Sequence, residues 1–122
     1  VIAAETIAPD SVVAALGDGR FSLEREKQTQ SEIAAHLSVH HGFALRREVD
    51  LGERNIIDFM IERVGVEVKI GGSKRAIYSQ CERYCRTGKL SALILATNVA
   101  IGFPPTIDGV PCFVVSLGRA WL

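Results

Sequence analysis

Two short stretches of this chain, Asn55 to Glu62 and Gly65 to Ile70, carry an apolar side chain at nearly every second position. That period is the one at which a β-strand returns to the same face, and the Arg63-Val64 step between them leaves room only for a tight turn. A hairpin is expected, and a hairpin restricts which side chains can meet. Pairing Ile57 with Ile70, Phe59 with Val68 and Ile61 with Val66 gives each apolar residue an apolar partner, around a turn at Arg63-Val64 or across Glu62 to Gly65. A shift of one residue would set Ile57 against Lys69 and break the pattern. In the preferred register Asp58 faces Lys69, and Met60 faces Glu67, on the opposite side of the ribbon. Asp58 and Glu67 then become diagonal neighbours with α-carbons roughly 7 to 8 Å apart, and Lys69 points the same way.

Two carboxylates in reach of one point suit a hard divalent cation, which takes oxygen ligands and leaves its remaining positions to water and phosphate oxygens. A lysine beside them can orient a water nucleophile or offset charge growing on a phosphorus centre. Together they fit hydrolysis of a phosphodiester. The same residues also suit an ordinary cross-strand ion pair of Asp58 with Lys69 and a solvated Glu67; the hairpin alone leaves both open.

Around the hairpin, Pro9-Asp10-Ser11 opens a short helix that Gly17 stops, and it reads as peripheral. Thr29-Gln30-Ser31-Glu32 has the form of a capping box, so the first main helix is expected from about 30 to 41, ending at Gly42. Phe43 to Leu51 alternates as a strand. Ser73 caps a second main helix running to Arg86 or Thr87, with Gly88 as its stop. Ser91 to Thr97 and Cys112 to Leu117 are apolar strands, joined through Pro104-Pro105 and Asp108-Gly109. The order is helix, three strands, helix, strand, strand: an α/β domain with a mixed central sheet flanked by helices. With 122 residues there is room for one domain, divided here into an appendage over 1–28 and the domain proper over 29–122.

Fourteen basic and fourteen acidic residues cancel, which removes the global basic signature of a nucleic-acid binder. Location is more telling, because seven of the bases lie between Arg63 and Lys89, directly after the carboxylates. Every apolar run is interrupted by charge, so no membrane span is expected. Cys81, Cys85 and Cys112 are an odd number without the density of a disulfide scaffold, which favours a reducing, cytoplasmic setting. Cys81 and Cys85 would share a helix face, but His36, His40 and His41 are far upstream of them, so the thiols read as buried side chains rather than zinc ligands.

Asp58, eight intervening residues and then Glu67-Val68-Lys69 resemble the motif of the PD-(D/E)XK nuclease superfamily, and the helix, three-strand, helix, strand order over residues 29–97 is similar to its restriction-endonuclease-like αβββαβ core. Gln80-Cys81-Glu82-Arg83-Tyr84 resembles the QxxxY element found in its recombination-exonuclease branch and in several small members. Ile57 stands where the superfamily usually has proline. The resemblance implies that Asp58 and Glu67 bind Mg²⁺ or Mn²⁺, that the Val68 carbonyl completes the protein ligands, and that Lys69 assists the attacking water. It implies a further acid at Glu32 and a role in the site for Gln80; Tyr84 reads as packing and His36 as a bystander. Lys74, Arg75, Arg83 and Arg86 would hold phosphates, although Glu82 and Arg86 equally suit an i, i+4 ion pair.

The expected activity is metal-dependent hydrolysis of DNA, of the repair, phage or junction-cleaving type, with RNA equally compatible with these residues. A domain this small grips a short length of duplex, so a homodimer with two sites is expected for cutting both strands. The alternative is a domain that keeps the fold to bind nucleic acid or protein without turnover.

Overall fold

β3 (Val64–Lys69) and β4 (Ala92–Thr97) are buried along almost their whole length, as strands covered on both faces must be. They run parallel, from Val64 beside Ala92 to Lys69 beside Thr97, and the crossover that parallel pairing requires is α3 (Lys74–Arg86). β6 (Val110–Ser116) continues the parallel sheet beyond β4. β2 (Ile56–Ile61) and β1 (Arg46–Asp50) extend it antiparallel on the other side. The computed structural model describes residues 6–118, in which these strands and β5 (Thr106–Ile107) form an open mixed sheet of order β1-β2-β3-β4-β6-β5. β5 was not expected; it folds back on β6 across Asp108-Gly109, both at positive φ. Residues 1–5 of the expected appendage and 119–122 of the expected domain lie outside the described residues. Among the described residues, no helix is long and apolar enough to cross a membrane.

One face of the sheet packs against α1 (Pro9–Gly17) and α2 (Glu26–Ala35), the other against α3. Val12 and Leu16 of α1 are essentially inaccessible and share a cluster with Ile33, Phe59, Val66 and Ile94. The segment read as peripheral therefore contributes to the main core. α2 also begins earlier than its capping box implied. Thr29 lies inside the helix and donates to the carbonyl of Ser22, while Glu32 Oε1 accepts from the Ser22 N–H at 2.7 Å. The two polar residues clasp the chain entering the helix instead of capping its first turn. α2 runs on into a π-turn over His36–His40, and Gly42, at φ +73°, ends it.

The hairpin forms in a different register. Ile61 pairs with Val64 and Phe59 with Val66, around a turn at Glu62-Arg63 with Glu62 at φ +52°. Each partner is two residues from the expected one, and a two-residue slip is invisible to a pattern of period two. Long-range contacts decide it. The Arg63 guanidinium donates to the carbonyls of Gly88 and Lys89, its own carbonyl accepts from Ser91, and Val64, expected in the turn, becomes a strand residue. A β-carbon on Gly65 would lie 2.6 Å from Ile57 Cδ1 and 2.9 Å from Leu90 Cδ2, so any larger residue would have to displace those side-chain tips.

Alternation also breaks inside β2. Ile57 packs with Met60 beneath α3, whereas Phe59 and Ile61 face α1 and α2, so Ile57 is not on the side expected for it. The irregularity falls at Asp58, opposite Glu48, which has φ +51°.

Candidate metal centre

The break at Asp58 is what builds the site. Regular β2–β3 pairing stops at Phe59 and Val66, and past that point side chains take over. Asp58 Oδ2 accepts from the Val68 N–H at 2.8 Å, and Glu67 Oε1 accepts from the Asp58 N–H at 3.1 Å. Each carboxylate thus has one oxygen tied to backbone. Beyond those ties the two carboxyl groups meet each other, and Glu67 Oε2 lies 3.4 Å from Lys69 Nζ. The three residues that alternation put on one face do meet. The Lys69 carbonyl in turn accepts from the Thr97 hydroxyl at 2.6 Å, which pins the end of β3 to β4.

Glu67 is only 2% exposed, and its second oxygen also contacts the hydroxyl of Tyr84, 3.1 Å away. That hydroxyl lies 2.8 Å from the Ile56 carbonyl and accepts from Gln80 Nε2 at 2.8 Å. Its single proton is shared between the Ile56 carbonyl and Glu67 Oε2, and the share given to Glu67 favours the carboxylate. Burial first, then the neighbouring Asp58 charge, outweigh it and push Glu67 up to about 8. Burial raises Asp58 as well, against the pull of the Val68 N–H, of Glu67 and of Lys69. Without a cation the pair holds a proton near neutrality, the expected state of two acids crowded together in a poorly solvated place.

Gln80 and Tyr84, four residues apart on α3, form a chain into Glu67. Tyr84 is entirely buried, as its packing role required, but it also fixes a carboxylate. Glu32 is elsewhere: besides Ser22 it accepts from Gln28 at 3.1 Å. The acid that α2 brings to the centre is Glu26, whose Oε1 accepts from the Ile70 N–H at 2.8 Å and whose charge contributes to raising Asp58. It lines a cleft of about 270 Å³ with Lys69, Gly71, Ser73 and Gln80. Sequence reasoning missed it because the capping-box reading started the helix four residues too late. An acid at the head of α2 was the available signal.

Val68 turns its side chain into the core beneath α2, with its N–H engaged by Asp58. Gln80 also lines a second, larger cleft of about 700 Å³ with Arg54, Arg83 and Arg86. Lys74, Arg75 and Arg83 are exposed and, among the described residues, pair with no carboxylate. Arg86 is engaged by Asp108 at 3.4 Å and Glu82 at 3.5 Å. The cysteines are buried free thiols; burial pushes Cys81 up to about 12, and Cys85 Sγ lies 4.0 Å from Cys112 Sγ.

An all-oxygen donor set of two adjacent carboxylates fits a hard cation such as Mg²⁺ or Mn²⁺ and not a soft metal. Comparison of the chain with protein families, with curated proteins and with solved structures finds no match.

Proposed function

We propose that this chain is a small divalent-metal-dependent nuclease of the PD-(D/E)XK type, hydrolysing DNA phosphodiesters on a restriction-endonuclease-like core. The observation that carries the reading is the meeting of Asp58, Glu67 and Lys69 where the β2–β3 ladder opens, with Lys69 Nζ 3.4 Å from Glu67. The run α2, β1, β2, β3, α3, β4 supports the core assignment. Asp58 and Glu67 would hold Mg²⁺ or Mn²⁺, with the Val68 carbonyl as a further oxygen. Such an ion polarises a phosphate and makes bound water a better nucleophile.

The chain's own residues do the rest. Lys69 keeps an ammonium beside the carboxylates, where it orients water and balances charge on the phosphate oxygens. Tyr84 and Gln80 hold Glu67 in one orientation, which removes a reorganisation cost from the reaction. Glu26 ties the Ile70 backbone and adds a third carboxylate to the cleft. Arg83, which lines the larger cleft with Gln80, and the exposed Lys74 and Arg75 would neutralise substrate phosphates. A homodimer would supply two such centres for a duplex.

The test is a panel of labelled linear, nicked, flapped and four-way-junction DNAs, with matching RNAs, in Mg²⁺ and in Mn²⁺. Cleavage should vanish on chelation and in Asp58→Asn, Glu67→Gln and Lys69→Ala, while Lys69→Ala retains most calorimetric Mn²⁺ binding. Wild-type protein that binds Mn²⁺ but cuts nothing would overturn the substrate class; protein that neither binds nor cuts leaves the non-enzymatic alternative standing.

A further inference from the structure

Far in sequence from the carboxylates, one ring nitrogen from each of His36, His40 and His41 lies within 4.8 Å of the others. The π-turn is the cause. At 3.6 residues per turn, residues five apart on an α-helix point about 140° apart, so His41 would face away from His36. Here the His41 N–H donates to the His36 carbonyl at 3.1 Å, an i to i+5 bond, and the wider winding turns His41 towards its neighbours. The rings sit 4.7 to 5.1 Å apart, centroid to centroid.

A second observation is independent of that clustering. His36 Nε2 lies 2.8 Å from the Ala15 carbonyl, and His41 Nε2 lies 2.9 Å from Asp18 Oδ2. Both partners only accept, so Nε2 carries the proton in each ring and Nδ1 of the neutral imidazole is the lone pair. Metal-bound histidines are oriented in this way, by a carbonyl on one and a carboxylate on another.

We infer that His36, His40 and His41 form a second metal site, for a borderline transition ion such as Zn²⁺, chemically distinct from the carboxylate centre. Imidazole nitrogens select Zn²⁺, Ni²⁺ or Cu²⁺, whereas Mg²⁺ requires oxygen. Around tetrahedral Zn²⁺ neighbouring nitrogens are about 3.4 Å apart and their in-plane lone pairs converge, so the His40 ring, stacked at 16° on His36, must rotate as well as draw in by roughly an ångström. His40 and His41 are exposed and can make that adjustment. Three protein ligands leave a fourth position to solvent. Because Ala15 and Asp18 belong to the end of α1, an ion here would staple α1 to the π-turn that closes α2.

The test is a Zn²⁺ titration of the full chain against a chromophoric chelator in magnesium-free buffer, repeated with Co²⁺ to read the ligand type. His36 packs against Phe21 and its removal threatens the fold, so the informative variants are the exposed His40→Ala and His41→Ala, with Asp18→Asn. One Zn²⁺ per chain is expected, weakened at least tenfold in each histidine variant and about 10-fold to 100-fold in Asp18→Asn. Zn²⁺ should raise the melting temperature of wild type but not of His40→Ala. Asp58→Asn should bind Zn²⁺ as wild type does, which separates this inference from the nuclease reading. Absence of saturable one-to-one binding, binding indifferent to both histidine variants, or a cobalt thiolate band pointing to the cysteines would each overturn it.

Discussion

At the turn end of the β2–β3 hairpin, Ile61 pairs with Val64 and Phe59 with Val66, all four buried and in regular register. At the open end, Asp58 and Glu67 stand in for the ladder, each accepting a backbone N–H in a place that burial makes unfavourable for charge. The first end gains from every apolar contact. The second holds two acids whose repulsion a cation, a proton or Lys69 must relieve. The contrast teaches how a small domain positions a charged site: it attaches the unfavourable residues to the element with the most apolar packing, so that the folding of the strand supplies what the acids cost.

The sharpest way to break this comparison is to cut each end in turn and measure stability by denaturant unfolding. Phe59→Ala should cost about 3 to 5 kcal/mol, because it empties a fully buried position between two helices and the sheet. Asp58→Asn keeps an acceptor for the Val68 N–H and removes a charge, so it should stay within roughly 1 kcal/mol of wild type while losing Mn²⁺ binding in calorimetry. Equal losses from the two variants would show that the open end is structural.

Gly65→Ala probes the join between the ends. Its β-carbon meets the tips of Ile57 and Leu90, which must shift, so a loss of about 1 to 3 kcal/mol is expected. A stabilised variant would mean that the glycine sits there for some other reason.

The pH dependence of the metal-free chain sharpens the contrast further. Glu67 is raised from 4.5 to about 8, so between those values the folded chain holds a proton that the unfolded chain has lost. Its stabilising contribution is complete below about 4.5 and is lost as pH rises towards 8, with a slope of up to about 1.4 kcal/mol per pH unit. Glu67→Gln should flatten that slope, leaving the smaller share from Asp58, and urea midpoints across this range would read it. A stability that climbs with pH in wild type would contradict the protonated pair.

The smallest expected effect lies on the approach to the open end. Arg83→Ala should reduce the slope of log affinity for DNA against log salt by about one, equally for all sequences. Arg86→Ala should change it less, since Asp108 and Glu82 already engage that guanidinium. Identical shifts would remove the distinction between free and paired arginines.

Much of this was legible in local pattern. Alternation determined which residues of β3 face which side, because Val64, Val66 and Val68 can be buried together on only one. The near-continuous apolar run of β4 determined a strand covered on both faces, and Ser73 and Gly88 marked the ends of α3, whose N-terminal cap is the Ser73 side chain accepting from Ala76. Glu67 and Lys69 could be put on one face without coordinates because residues two places apart in a strand share a face, whereas the hairpin pattern brought Asp58 near them through a register that differs from the observed one.

Tertiary structure decided what local pattern cannot carry. Strand periodicity repeats every two residues, so only contacts from Gly88, Lys89 and Leu90 selected the observed register over one two residues away. A capping box records hydrogen-bonding capacity and not the partner, so Thr29 and Glu32 went to Ser22, and Glu26 took the place at the centre. The three histidines meet only because the helix widens by one residue per hydrogen bond before Gly42, a change of winding that no side-chain period announces.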